Sequence, residues 1–271
     1  MAVNLIQAVA GFRLNARDPD RLADFFVRAL GFSGGPSGGL SLGPSHVALD
    51  RANGAAYPDD VPCWSPLFQH FAIVAGDMAA AVDRLAQVGG WTAISDGGPQ
   101  TLPAASGGVT AFKFRDPEGH PLELIALQGP AASQRPTLHI DHSAISVRDS
   151  ARSVAFYGRL GFQVGARSFN HGPEQDRLDG LENAQVEVTA LLTDDHPAPH
   201  VELLGYRGDW RRPAPADLGD VAATRMVFRA INADALGAIR ARLPGHVIDD
   251  RGGSLLLRDP DGHLLEIEAV P

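Results

Sequence analysis

The chain has 271 residues, 44% of them apolar and 20% charged, with 23 lysines and arginines against 32 acidic residues for a net charge of −9. That length fits two compact globular units or one large one, the composition excludes a disordered chain or a fibre, and the basic residues form no run that could follow a phosphate backbone, so nucleic acid is excluded as a partner. The single cysteine, Cys63, excludes an intrachain disulfide and a thiolate metal cluster.

The opening residues Met-Ala-Val-Asn-Leu-Ile-Gln carry no positive segment and no long apolar segment. No window approaches the ~18 apolar residues of a membrane helix, so an unprocessed, cytoplasmic protein with no membrane partner is expected. The run Gly11-Phe12-Arg13-Leu14-Asn15-Ala16-Arg17-Asp18 alternates like a strand and leads through Asp18 into a helix that closes at Ala29-Leu30-Gly31-Phe32. From His70 to Asp77 the same pattern returns. The helix behind it, Asp77 to Val88, sets Met78, Val82 and Leu85 on one side. Residues 114–124, Phe-Arg-Asp-Pro-Glu-Gly-His-Pro-Leu-Glu-Leu, read as a tight turn entering a strand, and Gly129-Pro130-Ala131-Ala132-Ser133 reads as a linker. A third strand and helix run from His142 through Asp149 to Arg159-Leu160-Gly161-Phe162. The fourth runs from Arg225 through Asn232, with Leu236, Ile239 and Leu243 aligned on its helix.

Residues 257–267, Leu-Arg-Asp-Pro-Asp-Gly-His-Leu-Leu-Glu-Ile, match residues 114–124 at seven of eleven positions, and Arg159 to Phe162 echoes Ala29 to Phe32. The chain is therefore duplicated, with halves at 1–129 and 137–271. Within each half a weaker repeat gives four units, each with the order strand, helix, then about three short strands.

Four such units with paired Asp-Pro-acid-Gly-His endings resemble the vicinal oxygen chelate superfamily, which includes glyoxalase I, the type I extradiol dioxygenases, methylmalonyl-CoA epimerase and the bleomycin and fosfomycin resistance proteins. The resemblance implies an α+β fold in which βαβββ units pair into two open, curved sheets, each lining a cleft. Period-two alternation then assigns faces. His142, Glu202, Arg225, Arg229, Glu266 and Glu268 fall opposite the apolar faces of their strands, toward a cleft.

The superfamily sets metal ligands at the start of the first strand and near the end of the last strand of each unit. Carried onto the second half, those positions are His142, Glu202, Arg225 and Glu266. Guanidinium offers no lone pair to a cation, so His142, Glu202 and Glu266 form the expected metal set, for one Mn, Fe, Co, Ni or Zn ion. Arg225, with Arg229, would hold a substrate carboxylate. In the first half the matching positions are Gly11, Ala48, His70 and Glu123, with His46 on the face of Ala48. That half is expected to be a degenerate partner, with His70 either a vestigial ligand or a cleft-lining residue. His120 and His263 are expected to bond local backbone in their turns.

The function expected from the resemblance is a metal-dependent lyase or isomerase acting on a small oxygenated metabolite, with Glu202 or Glu266 moving a proton beside a carbonyl. An extradiol dioxygenase is the first alternative. Against it, Arg225 stands where that branch has a second histidine, and Leu256 and Lys113 stand where it has a tyrosine. A non-catalytic drug or metabolite binder is the second. Gly205 to Pro213 reads as a lid or a surface crossover, Arg167 to Gly172 as a rim. The small-molecule site is expected in a monomer or a homodimer, with Cys63 a buried or partly buried thiol.

Overall fold

The computed structural model describes residues 4–34, 39–127, 135–193, 199–208 and 213–269. The linker at 129–133, and residues 209–212 of the suggested lid, lie outside these. The first unit holds strand β1 (Ile6–Ala16), helix α1 (Pro19–Leu30) and strands β2 (Ser33–Gly34), β3 (Leu40–Leu42) and β4 (Ser45–Arg51). The second holds β5 (Gln69–Ala75), α2 (Met78–Val88), β6 (Thr92–Ala93), β7 (Gln100–Thr101), β8 (Thr110–Arg115) and β9 (Pro121–Ala126). The third holds β10 (Thr137–Ser146), α3 (Ser150–Leu160), β11 (Gln163–His171), α4 (Pro173–Asp179), β12 (Gln185–Leu192) and β13 (His200–Tyr206). The fourth holds β14 (Arg225–Ala230), α5 (Ala233–Arg242), β15 (Val247–Asp250), β16 (Ser254–Arg258) and β17 (Leu264–Ala269).

Each unit helix starts where the sequence places an acceptor. Asp18, Asp77, Asp149 and Asn232 each accept a hydrogen bond from the backbone N–H three residues on, satisfying one of the helix's open donors.

The strands assemble into two sheets of mixed origin. An eight-stranded sheet runs β15-β16-β17-β14-β1-β4-β3-β2, and a nine-stranded sheet runs β11-β12-β13-β10-β5-β9-β8-β6. The first and fourth units therefore share one sheet, and the second and third share the other. Short connections favour spatial neighbours, and only about ten residues separate β9 from β10, whereas residues 52–68 are long enough to carry the chain from β4 across to the other sheet. Both central pairings are antiparallel, β1 with β14 and β5 with β10.

One large apolar core lies between the sheets. Leu22, Phe26 and Leu30 of α1, Tyr157 and Leu160 of α3, and Met226 and Phe228 of β14 are all within it. Phe12 of β1 stacks on Phe71 of β5 with ring centroids 4.9 Å apart, so the two sheets touch through their middles. Met226 and Phe228, which alternate with Arg225 and Arg229 along β14, are both fully buried.

The two Asp-Pro-acid-Gly-His turns are built alike. Asp116 Oδ1 accepts from the N–H groups of Glu118 and His120, and Asp259 Oδ1 from those of Asp261 and His263. Gly119 and Gly262 sit at φ +97° and +99°, and an added Cβ would meet Tyr57 at 2.8 Å or Pro215 at 2.9 Å, so both the torsion and the space demand glycine. The histidines were expected to bond local backbone. Instead their rings reach distant strands: His120 Nε2 donates to Asn15 O at 3.0 Å, and His263 Nε2 to Ser146 O at 2.9 Å. Each staple joins the two units of one half, which lie in different sheets. Among the described residues no helix is long and apolar enough to cross a membrane.

Candidate metal centre

In the nine-stranded sheet, four side chains converge from four strands and from both halves of the chain. His70 is the second residue of β5, Glu123 sits in β9, His142 in β10 and Glu202 in β13. His70 Nε2 lies 3.1 Å from Glu123 Oε2, and His142 Nε2 lies 3.5 Å from Glu123 Oε2 and 3.6 Å from Glu202 Oε2. His70, Glu123 and His142 each offer a ligand atom within 4.8 Å of the others. A second set with that spacing, Asp141, His142 and His200, shares His142.

The electrostatics suit a cation. Burial works against charge on His142, but Glu202, Asp141 and Glu123 around it outweigh that and push it well above its ordinary value. Burial would raise Glu123 too, yet Lys113, His142 and His70 hold it well below the usual carboxylate range. For His70 burial wins and the ring is pulled toward its neutral form, the form that ligates. Glu202 is lowered, burial being overcome by His142 and His200. Two imidazoles and two carboxylates drawn together where water is scarce make a donor set that a divalent ion of the Mn-to-Zn series fits.

A cavity of about 350 Å³ opens onto this cluster. Leu102, Val109 and Ile125 form one aliphatic wall, while Arg167, Ser168 and Asn170 of the expected rim line the other side. Tyr206, from the part of the suggested lid that is described, lines the cavity through β13 and donates to Asp179 Oδ2 at 3.0 Å. Also against the cavity lies Lys113, whose Nζ meets the fully buried Asp179 at 2.6 Å. The ammonium stays charged because Asp179 outweighs its burial. Asp179 ends α4, a helix inserted between β11 and β12 that the sequence reading left out. Its signal was present: Gly172-Pro173-Glu174 places proline and an acidic residue in a first turn. Cys63 is buried, its thiol pushed up by burial, and it donates to Asp179 O.

The expected trio of His142, Glu202 and Glu266 does not assemble. His142 and Glu202 meet, but Glu266 belongs to β17 of the other sheet, with Arg225 and Arg229 of β14. There Arg225 Nη2 bonds Asp50 Oδ2 at 2.6 Å and Asn15 Oδ1 at 3.0 Å, and Arg13 Nη1 bonds Asp50 Oδ1 at 3.0 Å. Glu266 Oε2 lies 3.2 Å from Arg13 and 3.5 Å from Arg225, closing a ring of two cations and two anions. Arg225 is thus held by its own neighbours instead of standing beside the metal-type cluster. Arg229 is exposed and registers against Glu268.

The first half, expected to be a degenerate partner, supplies His70 and Glu123 to this cluster. His46 bonds Ser41 Oγ at 3.1 Å and is exposed, outside the cluster. Strand parity had put each residue on a concave face. What it left open was which units share a cleft, and the reading took both units from one half.

A pair of open sheets built from four βαβββ units, with acidic and imidazole side chains gathered on one concave face, defines a class of two-half chelating folds. The family model for the Glyoxalase/Bleomycin resistance protein/Dioxygenase superfamily matches residues 139–267, and that of a glyoxalase-like domain matches residues 11–125. The chain belongs to this superfamily, the vicinal oxygen chelate proteins, as a member with two such domains. Among solved structures it is similar to glyoxalase I from Zea mays, at 15% identity and a TM-score of 0.66, over 96% of this chain and 92% of that one. It is also similar to a candidate dioxygenase from Bacillus subtilis subsp. subtilis str. 168, at 12% identity and a TM-score of 0.58, over 99% and 87%. No curated protein matches it.

Proposed function

We propose that the chain is a metal-dependent lyase or isomerase of the glyoxalase type, with one divalent ion held by His70, Glu123, His142 and Glu202. The observation that carries this reading is the second carboxylate: two histidines and two glutamates share one buried cleft, whereas iron oxygenases of the facial-triad kind use two histidines and one carboxylate. Mn, Fe, Co, Ni and Zn all suit this mixed nitrogen and oxygen set.

The bound ion would supply Lewis-acid stabilisation of charge developing on two adjacent substrate oxygens. The protein's own groups do the rest. Glu123 is tethered by His70 at 3.1 Å. Glu202, more exposed and lining the cavity, is held only by looser approaches to His142 and His200 of 3.6 and 3.5 Å. It is kept ionised by those rings, which suits it to take the proton from the carbon beside a carbonyl and return it to the neighbouring carbon. The aliphatic wall excludes water from that transfer and accepts the body of a small molecule. Both units of the cleft come from one chain, which supports a site complete in a monomer.

The test is metal analysis with two variants. The purified protein is expected to take up about one ion, Glu202→Gln to keep most of it through His70, Glu123 and His142 while kcat on small hemithioacetals or 2-hydroxycarbonyls falls about 100-fold or more, and Glu266→Gln to change neither. Stoichiometric iron with catechol-dependent oxygen uptake would overturn the reading in favour of ring cleavage.

A further inference from the structure

We propose that Asp141 is a positioning residue for this centre: it accepts a hydrogen bond from Nδ1–H of His142 and so turns Nε2 of that ring toward the ion. The inference rests on the metal reading above and adds a residue that the ligand positions of the fold do not supply.

The argument begins with the strand. Neighbouring residues on a β-strand project to opposite faces, so Asp141 and His142 would ordinarily be unable to meet. In β10 the register breaks at this point. Ile140 pairs with Ile73 and His142 with Ala72, leaving Asp141 as an extra residue, a β-bulge. The bulge re-aims the side chain, and Asp141 Oδ2 lies 2.9 Å from His142 Nδ1. Only the other nitrogen, Nε2, then faces Glu123 and Glu202. A ligating imidazole commonly gives its second N–H to a carboxylate, which fixes the tautomer and strengthens the donor.

Two internal comparisons sharpen this. The pseudo-equivalent strand β1 carries the same break, with Val9 paired to Phe228 and Gly11 to Val227, and there the extra residue is Ala10. The bulge belongs to both sheets, but only the one with the ligand cluster has a carboxylate in it. The second histidine of the cluster, His70, has no hydrogen-bond partner for its buried Nδ1 among the described residues. Its ring is held by its Nε2 bond to Glu123 and by packing, edge-on to Phe68 at 5.7 Å. His142 is thus the one imidazole of the pair with a carboxylate on the nitrogen that faces away from the cluster.

The experiment titrates metal-free protein with Zn(II) by competition calorimetry, and with Co(II) by absorption, for wild type, Asp141→Ala and Asp141→Asn. Wild type is expected to bind one ion. Asp141→Ala should bind about 10- to 100-fold more weakly with an altered Co(II) spectrum, its far-ultraviolet circular dichroism unchanged. Asp141→Asn, whose amide oxygen still accepts from Nδ1, should recover part of the affinity. Equal affinity for wild type and Asp141→Ala would overturn the inference and leave the metal reading standing. Two ions in wild type, with one lost in Asp141→Ala, would overturn it by making Asp141 a ligand beside His200. No uptake by wild type overturns both.

Discussion

The two clefts of this molecule start from the same plan and solve opposite problems. In the nine-stranded sheet the four equivalent positions hold His142, Glu202, His70 and Glu123; in the eight-stranded sheet they hold Gly11, Ala48, Arg225 and Glu266. The first set has two neutralisable bases and two anions, which on the proposed reading a cation from outside completes. The second brings its own cations. Arg13 and Asp50, each two residues beyond the vacated Gly11 and Ala48, fill the space with an ion-paired ring. Gly11 is not free to regain a ligand, since a Cβ there would stand 2.5 Å from the carbonyl oxygen of His46. One cleft thus gathers imidazoles and carboxylates and the other is closed by salt bridges, and the contrast teaches that equivalent positions can keep their place in the sheet while their chemistry is exchanged.

The comparison is broken most sharply from the ligand side. His142→Ala removes one of two imidazoles and is expected to weaken metal binding by more than about 100-fold, beyond the range that an outer partner carries, with activity lost in step; equal metal content in mutant and wild type would refute the assignment. The next effect concerns the support beneath the cavity. Lys113→Met leaves Asp179 buried without its cation, and breaking such a pair costs about 3–5 kcal/mol, read as a drop in urea midpoint. Lys113→Met with Asp179→Leu should recover much of that loss. An undiminished loss in the double variant would mean that α4 docks through something other than the charge pair.

In the salt-bridged cleft the expected numbers are smaller. Arg225→Ala leaves Glu266 and Asp50 to Arg13 alone, but the ring is partly exposed, with Arg225 and Asp50 side chains 15% and 35% accessible. The cost should fall between the exposed and buried limits, about 1–3 kcal/mol, with metal affinity unchanged. A loss of metal in Arg225→Ala would mean that the two clefts are coupled after all.

These clefts also mark how far the sequence could be read. Strand parity placed Glu202, Arg225 and Glu266 on concave faces because alternation is a local property, legible from five or six residues. The Asp-Pro-acid-Gly-His copies gave the duplication because a turn that requires positive φ tolerates few substitutions. Which units pair is a non-local property. Nothing in the sequences of β10 and β17 says that they belong to different sheets, and so Glu266 was grouped with His142. Asp141 escaped notice for a related reason: parity predicts it to face away, and only the bulge reverses that. His120 and His263 were read as local because the turn is local, while their ring nitrogens find carbonyls more than 100 residues away.

The smallest expected effect is also the one that separates ion from proton in the first cleft. His142 and His120 are both raised above 6.5 in the folded chain. Burial opposes this in each, outweighed by Glu202, Asp141 and Glu123 around His142 and by Asp116, 2.8 Å from the ring, at His120. A histidine whose folded value is raised adds stability that is fully present below about 6.5 and lost as pH rises through the folded value. His70, lowered by burial, acts in the opposite sense, but only below 6.5. Metal-free protein should therefore melt at progressively lower temperature as pH rises above 6.5 through the folded values of His142 and His120. Metal must displace the proton on His142 before that ring can ligate. At a fixed Zn(II) concentration the metal-loaded protein should therefore gain stability over the same range, and melting curves taken with and without the ion should diverge. Parallel curves would mean that His142 keeps its proton in both, and the cleft would then resemble its salt-bridged twin.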